Sequence, residues 1–170
     1  MEKFIKKGQI IVGLDFDNSQ SALEITKFLN PENYKVKVGN QLFTACGPQI
    51  LEDLKMQGFD IFLDLKYHDT PNTVEKAVLE ACKQQVWMTN IHLSGGQNMI
   101  EAAVNAKNSV SSEILLIGVT VLTSLDQKDL SDIGVSNDLR DQIISLINLG
   151  KRGGIDLSLI HISEPTRRTT

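Results

Sequence analysis

Cysteine is nearly absent from the 170-residue chain, which carries only Cys46 and Cys82. Two cysteines cannot build a disulfide framework or a four-cysteine zinc site. Both fall in segments with helical spacing, where a buried, inert thiol is the simple reading. Basic charge is in the minority, with 17 Lys plus Arg against 21 Asp plus Glu, so the chain lacks the basic excess of a nucleic-acid footprint. Long apolar runs are missing too. The longest, residues 114–122, is interrupted by Gly118 and Thr120 and falls far short of the roughly 20 residues a membrane span needs. Residues 1–7 are charged and lack the apolar core of a signal peptide. An apolar content of 41% excludes a disordered chain, and the length suits one domain with a real core. The expectation is a cytoplasmic, metal-independent, single-domain protein with neither a nucleic-acid nor a membrane partner.

What is present is an alternation of strand-like and helix-like segments. Strands are expected over residues 9–15 (QIIVGLD), 34–38 (YKVKV), 59–66 (FDIFLDLK), 86–92 (VWMTNIH) and 114–120 (ILLIGVT). Thr and Asn make the fourth the weakest of these. Helical spacing covers residues 19–29, 41–57, 73–85, 99–107 and 138–149. Ser19 is a candidate N-cap, and Gly58 a stop signal. Residues 151–156 (KRGGID) read as the lead into a sixth strand. Strict alternation implies right-handed crossovers and a parallel sheet. An open doubly wound sheet and a closed (β/α)8 barrel both satisfy it, and no GxGxxG follows the first strand to favour a dinucleotide-binding version.

The charges form a pattern. In the third strand Phe62, Asp64 and Lys66 share one face, with Asp64 and Lys66 about 7 Å apart along the axis. In the second strand Lys35 and Lys37 share a face. Asp15, His92 and Thr120 lie at other strand ends, and Thr123 follows the fifth strand. Parallel α/β folds bind ligands at the carboxyl ends of their strands. Unpaired ions in apolar strands cost several kcal/mol each, so Lys37, Asp64 and Lys66 are expected to be mutually paired. The run DLKYHDTPNT (64–73) adds His68, Asp69 and Thr73. Tyr67 reads as packing. Lys66 argues against a metal held by Asp64, His68 and Asp69, because an ammonium competes with the ion.

At these residues the sequence resembles the orotidine 5'-phosphate decarboxylase family. LDF (14–16), KVG (37–39), DLKYHDTPNT (64–73), the Gly95-Gly96 pair and VTVLTS (119–124) occur in the family's order and spacing. The D-x-K-x-x-D core is shared with related sugar-phosphate enzymes; the HDxPNT context is more specific. The resemblance implies an α/β (β/α)8 TIM barrel, a homodimer with a shared active site, and no cofactor or metal. It implies conversion of orotidine 5'-phosphate to uridine 5'-phosphate and carbon dioxide. By motif position, Lys37, Asp64, Lys66 and Asp69 form an alternating charged array with Lys66 as proton donor. Asp15 and Lys37 hold the ribose, Asp69 and Thr73 reach into the partner's site, and Thr123 lies near the pyrimidine.

The resemblance stops at Asp156. Residues 157–167 read LSLIHISEPTR, which matches a translated transposase sequencing adapter residue for residue. The expectation is therefore a partial barrel of five to six βα units over residues 1–156 and a non-native tail over 157–170. His161 and Arg167 then carry no functional weight. Barrel phosphate sites are commonly built after strands seven and eight, so the chain as written is expected to be poorly folded and essentially inactive. Two alternatives stand beside this reading. One is a magnesium-dependent sugar-phosphate enzyme of the same suprafamily. The other is a non-catalytic protein that binds a partner through exposed strand edges.

Overall fold

The structure, a computed structural model, describes residues 10–110 and 113–159. Gln9, His161 and Arg167 lie outside them. The apolar strand segments form β1 (Ile10–Gly13), β2 (Tyr34–Gly39), β3 (Ile61–Tyr67), β4 (Met88–His92), β5 (Leu115–Val119) and β6 (Leu157–Leu159). Between them run α1 (Ser19–Thr26), α2 (Asn40–Cys46), α3 (Gln49–Met56), α4 (Pro71–Lys83), α5 (Gln97–Val110), α6 (Gln127–Asp132) and α7 (Leu139–Gly153). All pairings are parallel and the strand order is sequential, β1-β2-β3-β4-β5-β6. A doubly wound sheet reverses its strand order at a switch point. Without a reversal, crossovers of one hand leave all helices on one side, which is the arrangement of a (β/α)8 barrel.

Alternation along the strands then sorts the side chains. Leu14, Val36, Val38, Ile61, Leu63, Ile91 and Leu116 belong to the large core beneath the helices. Phe62, Met88, Leu115 and Ile117 form a second cluster on the opposite, concave face, with Ile11 and Trp87 against it. Lys35 lies near the amino ends, over the Trp87 ring at 4.3 Å and paired with Asp60. Buried Lys107 on α5 binds both carboxylate oxygens of Asp156 at 2.7 and 2.6 Å. Asp156 in turn accepts the Leu116 N–H at 2.8 Å, so one ion pair ties α5, β5 and the lead into β6.

Several local expectations are corrected. The helix expected over residues 41–57 is two helices, because Gly47 takes φ 65° and Pro48 follows. The N-cap of α1 is Asn18, whose side chain accepts the Ser21 N–H at 2.9 Å. Residues 151–153 still belong to α7, which ends at left-handed Gly154. The unanticipated α6 is fixed by a capping box between Asp126 and Asp129. Apart from these corrections, Leu157–Leu159, the first residues of the expected tail, pair with Ile117–Val119, their backbone lying along the edge of β5.

Fully buried Leu93, in the 3₁₀ turn Leu93–Gly95, wedges between β5 and α7. A Cβ at Gly118 would lie 2.5 Å from its Cδ2, and one at Gly150 2.9 Å away. Leu93→Ala is expected to cost about 2–5 kcal/mol, and Gly118→Ala about 1–3 kcal/mol. The double variant loses less than the sum, because the new methyl enters the vacated space. Urea unfolding of the four chains checks this; strict additivity would count against the wedge.

Candidate active site

The carboxyl ends of β1 to β4 converge on one carboxylate. Asp64 on β3 is 8% exposed. Its Oδ1 accepts from Lys66 Nζ at 2.7 Å and from Asn90 Nδ2 at 2.6 Å, and its Oδ2 lies 3.4 Å from Lys37 Nζ. Lys37 on β2 also reaches Asp15 Oδ1 at 3.6 Å. The order Asp15, Lys37, Asp64, Lys66 thus alternates in sign across three neighbouring strands. Burial works to raise the Asp64 pKa. Hydrogen bonds from Lys66 and Asn90, with the charges of Lys66 and Lys37, outweigh it and hold the carboxyl below its ordinary range.

Lys66 is not in regular strand conformation. Its φ is 50°, in the left-handed region, which costs a non-glycine residue about 1–2 kcal/mol. The register between β3 and β4 shifts here, and the Lys66 N–H goes to Asn90 Oδ1 at 2.8 Å. His68 and His92 stand beside this kink with ring centroids 5.3 Å apart. Burial, then the charges of His68 and Lys66, push the His92 pKa down against the opposing pull of Asp64. Burial also lifts the Tyr67 hydroxyl to about 12, and Tyr67 packs against the main core.

The structure brings together Asp15, Lys37, Asp64 and Lys66, and leaves three expected residues apart. Asp69 is exposed in the loop after β3 and forms no ion pair with Lys37 or Lys66 within this chain. Its carboxylate accepts the Thr70 N–H at 2.6 Å, which is the main cause of its lowered pKa. Thr73, exposed in the first turn of α4, shares a 3.0 Å hydroxyl contact with Thr70. Thr123 is exposed in the loop after β5. Asn90 is the residue that sequence reasoning missed. The available signal was a polar amide inside an apolar strand, since a buried amide needs partners.

A model of the orotidine 5'-phosphate decarboxylase / HUMPS family matches residues 8–156. The chain belongs to that family. Among curated relatives, it is 49% identical over 148 residues to the orotidine 5'-phosphate decarboxylase of Marinomonas sp., covering 86% of this chain and 63% of that protein. Against the Pseudoalteromonas translucida enzyme the identity is 46% over 154 residues, covering 90% and 66%. The chain therefore spans less than two thirds of these relatives. A solved orotidine 5'-phosphate decarboxylase from Lactobacillus acidophilus superposes with a TM-score of 0.85 at 33% identity, covering 91% of this chain and 71% of that one. The α/β barrel class expected from the sequence is borne out. Among the described residues, no helix is long and apolar enough to cross a membrane.

Both depressed pKa values act against acid. At pH between its folded value and the unfolded 6.5, His92 binds fewer protons folded than unfolded, so stability falls as pH drops below 6.5. Asp64 contributes stability present above 3.8 and lost as pH falls through its lower folded value. Urea midpoints from pH 8 to 3 are expected to decline in two stages. His92→Gln should flatten the first stage alone; an unchanged first stage would remove His92 as its cause.

Proposed function

We propose that this chain carries the charge-bearing part of an orotidine 5'-phosphate decarboxylase, which releases uridine 5'-phosphate and carbon dioxide in the last step of de novo pyrimidine synthesis. The observation that carries the reading is the alternating Asp15–Lys37–Asp64–Lys66 array at the carboxyl ends of adjacent strands. Names of the relatives support the substrate, and so does the HDTPNT context at residues 68–73. The related magnesium-dependent sugar-phosphate activity has no such support among these relatives.

In this reading the bond between the pyrimidine ring carbon and its carboxylate breaks, and the electron pair stays on the ring. An ammonium fixed beside that carbon stabilises the developing charge and then donates its proton. Lys66 fills this role. Its pairing with Asp64 at 2.7 Å fixes where the ammonium stands. Asp64 also sits where the substrate carboxylate departs, a like-charge contact. Asp15 and Lys37 hold the ribose hydroxyls, and Thr123 contacts the pyrimidine. Grip on the remote phosphate supplies binding energy used at the reacting centre; in barrels that grip is commonly built after strands seven and eight. The chemistry takes no cofactor or metal, in the cytoplasm.

Joining the corresponding C-terminal third of the Marinomonas relative after Asp156 is expected to give decarboxylation, followed by loss of orotidine absorbance. Lys66→Ala in that protein should lower turnover by about 10²-fold or more while leaving nucleotide binding. Turnover near that of the parent would refute the proton-donor role, and no turnover by the parent would refute the activity.

Exposed Asp69 and Thr73 are assigned to the neighbouring site of a homodimer. Mixing Lys66→Ala and Asp69→Ala subunits of the extended protein should then restore activity, because one site of each heterodimer regains a full array. Absence of rescue, with subunit exchange confirmed, would refute the shared site.

A further inference from the structure

We propose that Asn90 is a positioning residue for the proton donor: one side-chain amide holds the backbone of Lys66 and the carboxylate of Asp64 in a fixed relation. Its catalytic meaning rests on the decarboxylase reading; the geometry does not.

The need arises from the bulge. Leu63 pairs with Thr89 and Tyr67 with Ile91, so four steps along β3 are matched by two along β4. Across such a mismatch the β4 backbone cannot serve every polar group of β3. Side chains of β4 serve them instead. The Thr89 hydroxyl donates to the Leu63 carbonyl at 3.0 Å, and Asn90 Oδ1 accepts the Lys66 N–H at 2.8 Å. Asn90 is fully buried, and its other arm, Nδ2, donates to Asp64 Oδ1 at 2.6 Å. That same oxygen takes the Lys66 ammonium. The amide therefore binds the lysine at its backbone directly and at its charged end through Asp64.

The chemistry of the residue fits both tasks. An uncharged amide offers a donor and an acceptor on one short planar group. Aspartate at this position would accept the Lys66 N–H but set a second negative charge against Asp64. An aliphatic residue would do neither. The left-handed Lys66 backbone is a conformation that persists only where its surroundings determine it, and Asn90 is the group that binds its N–H.

The two arms can be separated in the 170-residue chain without ligand. Amide exchange is read by NMR at Lys66, with the Trp87 and Leu115 amides, bonded to the Ile61 and Trp87 carbonyls, as references. The carboxyl titration of Asp64 is read in parallel. In Asn90→Ala, exchange at Lys66 is expected to rise about tenfold or more with the references unchanged, and Asp64 titrates at higher pH. In Asn90→Asp, Lys66 keeps its protection while Asp64 titrates higher still. Unchanged exchange at Lys66 and unchanged titration of Asp64 in Asn90→Ala would overturn the proposal. So would loss of the reference amides in both variants, which would assign Asn90 to the sheet as a whole. Neither readout needs turnover, so failure of decarboxylation and failure of this inference are distinguishable.

Discussion

A carboxylate that is 8% exposed and still charged needs its surroundings to supply what water would have supplied. Asp64 obtains this from two ammonium groups and one amide, each on a defined strand or kink: Lys37 on β2, Lys66 beyond the bulge of β3, and Asn90 on β4. The dependence is mutual. Each lysine is half-buried, and each has Asp64 as a counter-charge. Removing the carboxylate would leave two cations facing one another at the mouth of the sheet. Removing one cation would take away part of what offsets burial and move the Asp64 pKa up. The charges persist as a set, which is why the parallel register of β2, β3 and β4 matters for more than the core.

That register is regular everywhere except at the site. β2 pairs with β3, and β4 with β5, without interruption. The shift falls between Leu63 and Tyr67, the stretch that contains Asp64 and Lys66. A bulge re-aims a side chain at the cost of ladder hydrogen bonds. Here the cost is offset by side chains of β4. Within β3 the left-handed backbone falls on Lys66, and the apolar layer beneath, with Ile61, Leu63 and Ile91, stays closed.

Much of this was legible in the sequence, and the rest was hidden for identifiable reasons. Period-two alternation is enough to place Asp64 and Lys66 on one face and Lys37 on the neighbouring strand. The expense of buried ions is enough to pair them. Alternation also sorted Phe62 from Leu63. It could not show that Lys66 is left-handed, because alternation presumes a regular strand and Lys66 is where the strand stops being regular. Asn90 was hidden for the same reason: its partner is a backbone N–H freed by a bulge that no residue type announces. The split of α2 from α3 was signalled by Gly47-Pro48, yet the apolar spacing on either side reads continuously as one helix. Asp69 and Thr73 come from motif position alone, and within one chain they stand apart from the lysines.

The placement of the array also explains why a chain of this span can hold it. Asp15, Lys37, Asp64, Lys66 and Asn90 come from β1 to β4 and the turn after β1, which are consecutive in sequence and adjacent in the sheet. Every hydrogen bond and ion pair described within the array lies within one strand or joins neighbouring elements. None reaches past β4 into β5, β6 or the helices α6 and α7. Preorganised charge of this kind needs fixed strands around it and exclusion of water. The fold therefore gathers the charged array on its early, consecutive strands and leaves β5, β6 and the helices α6 and α7 outside it.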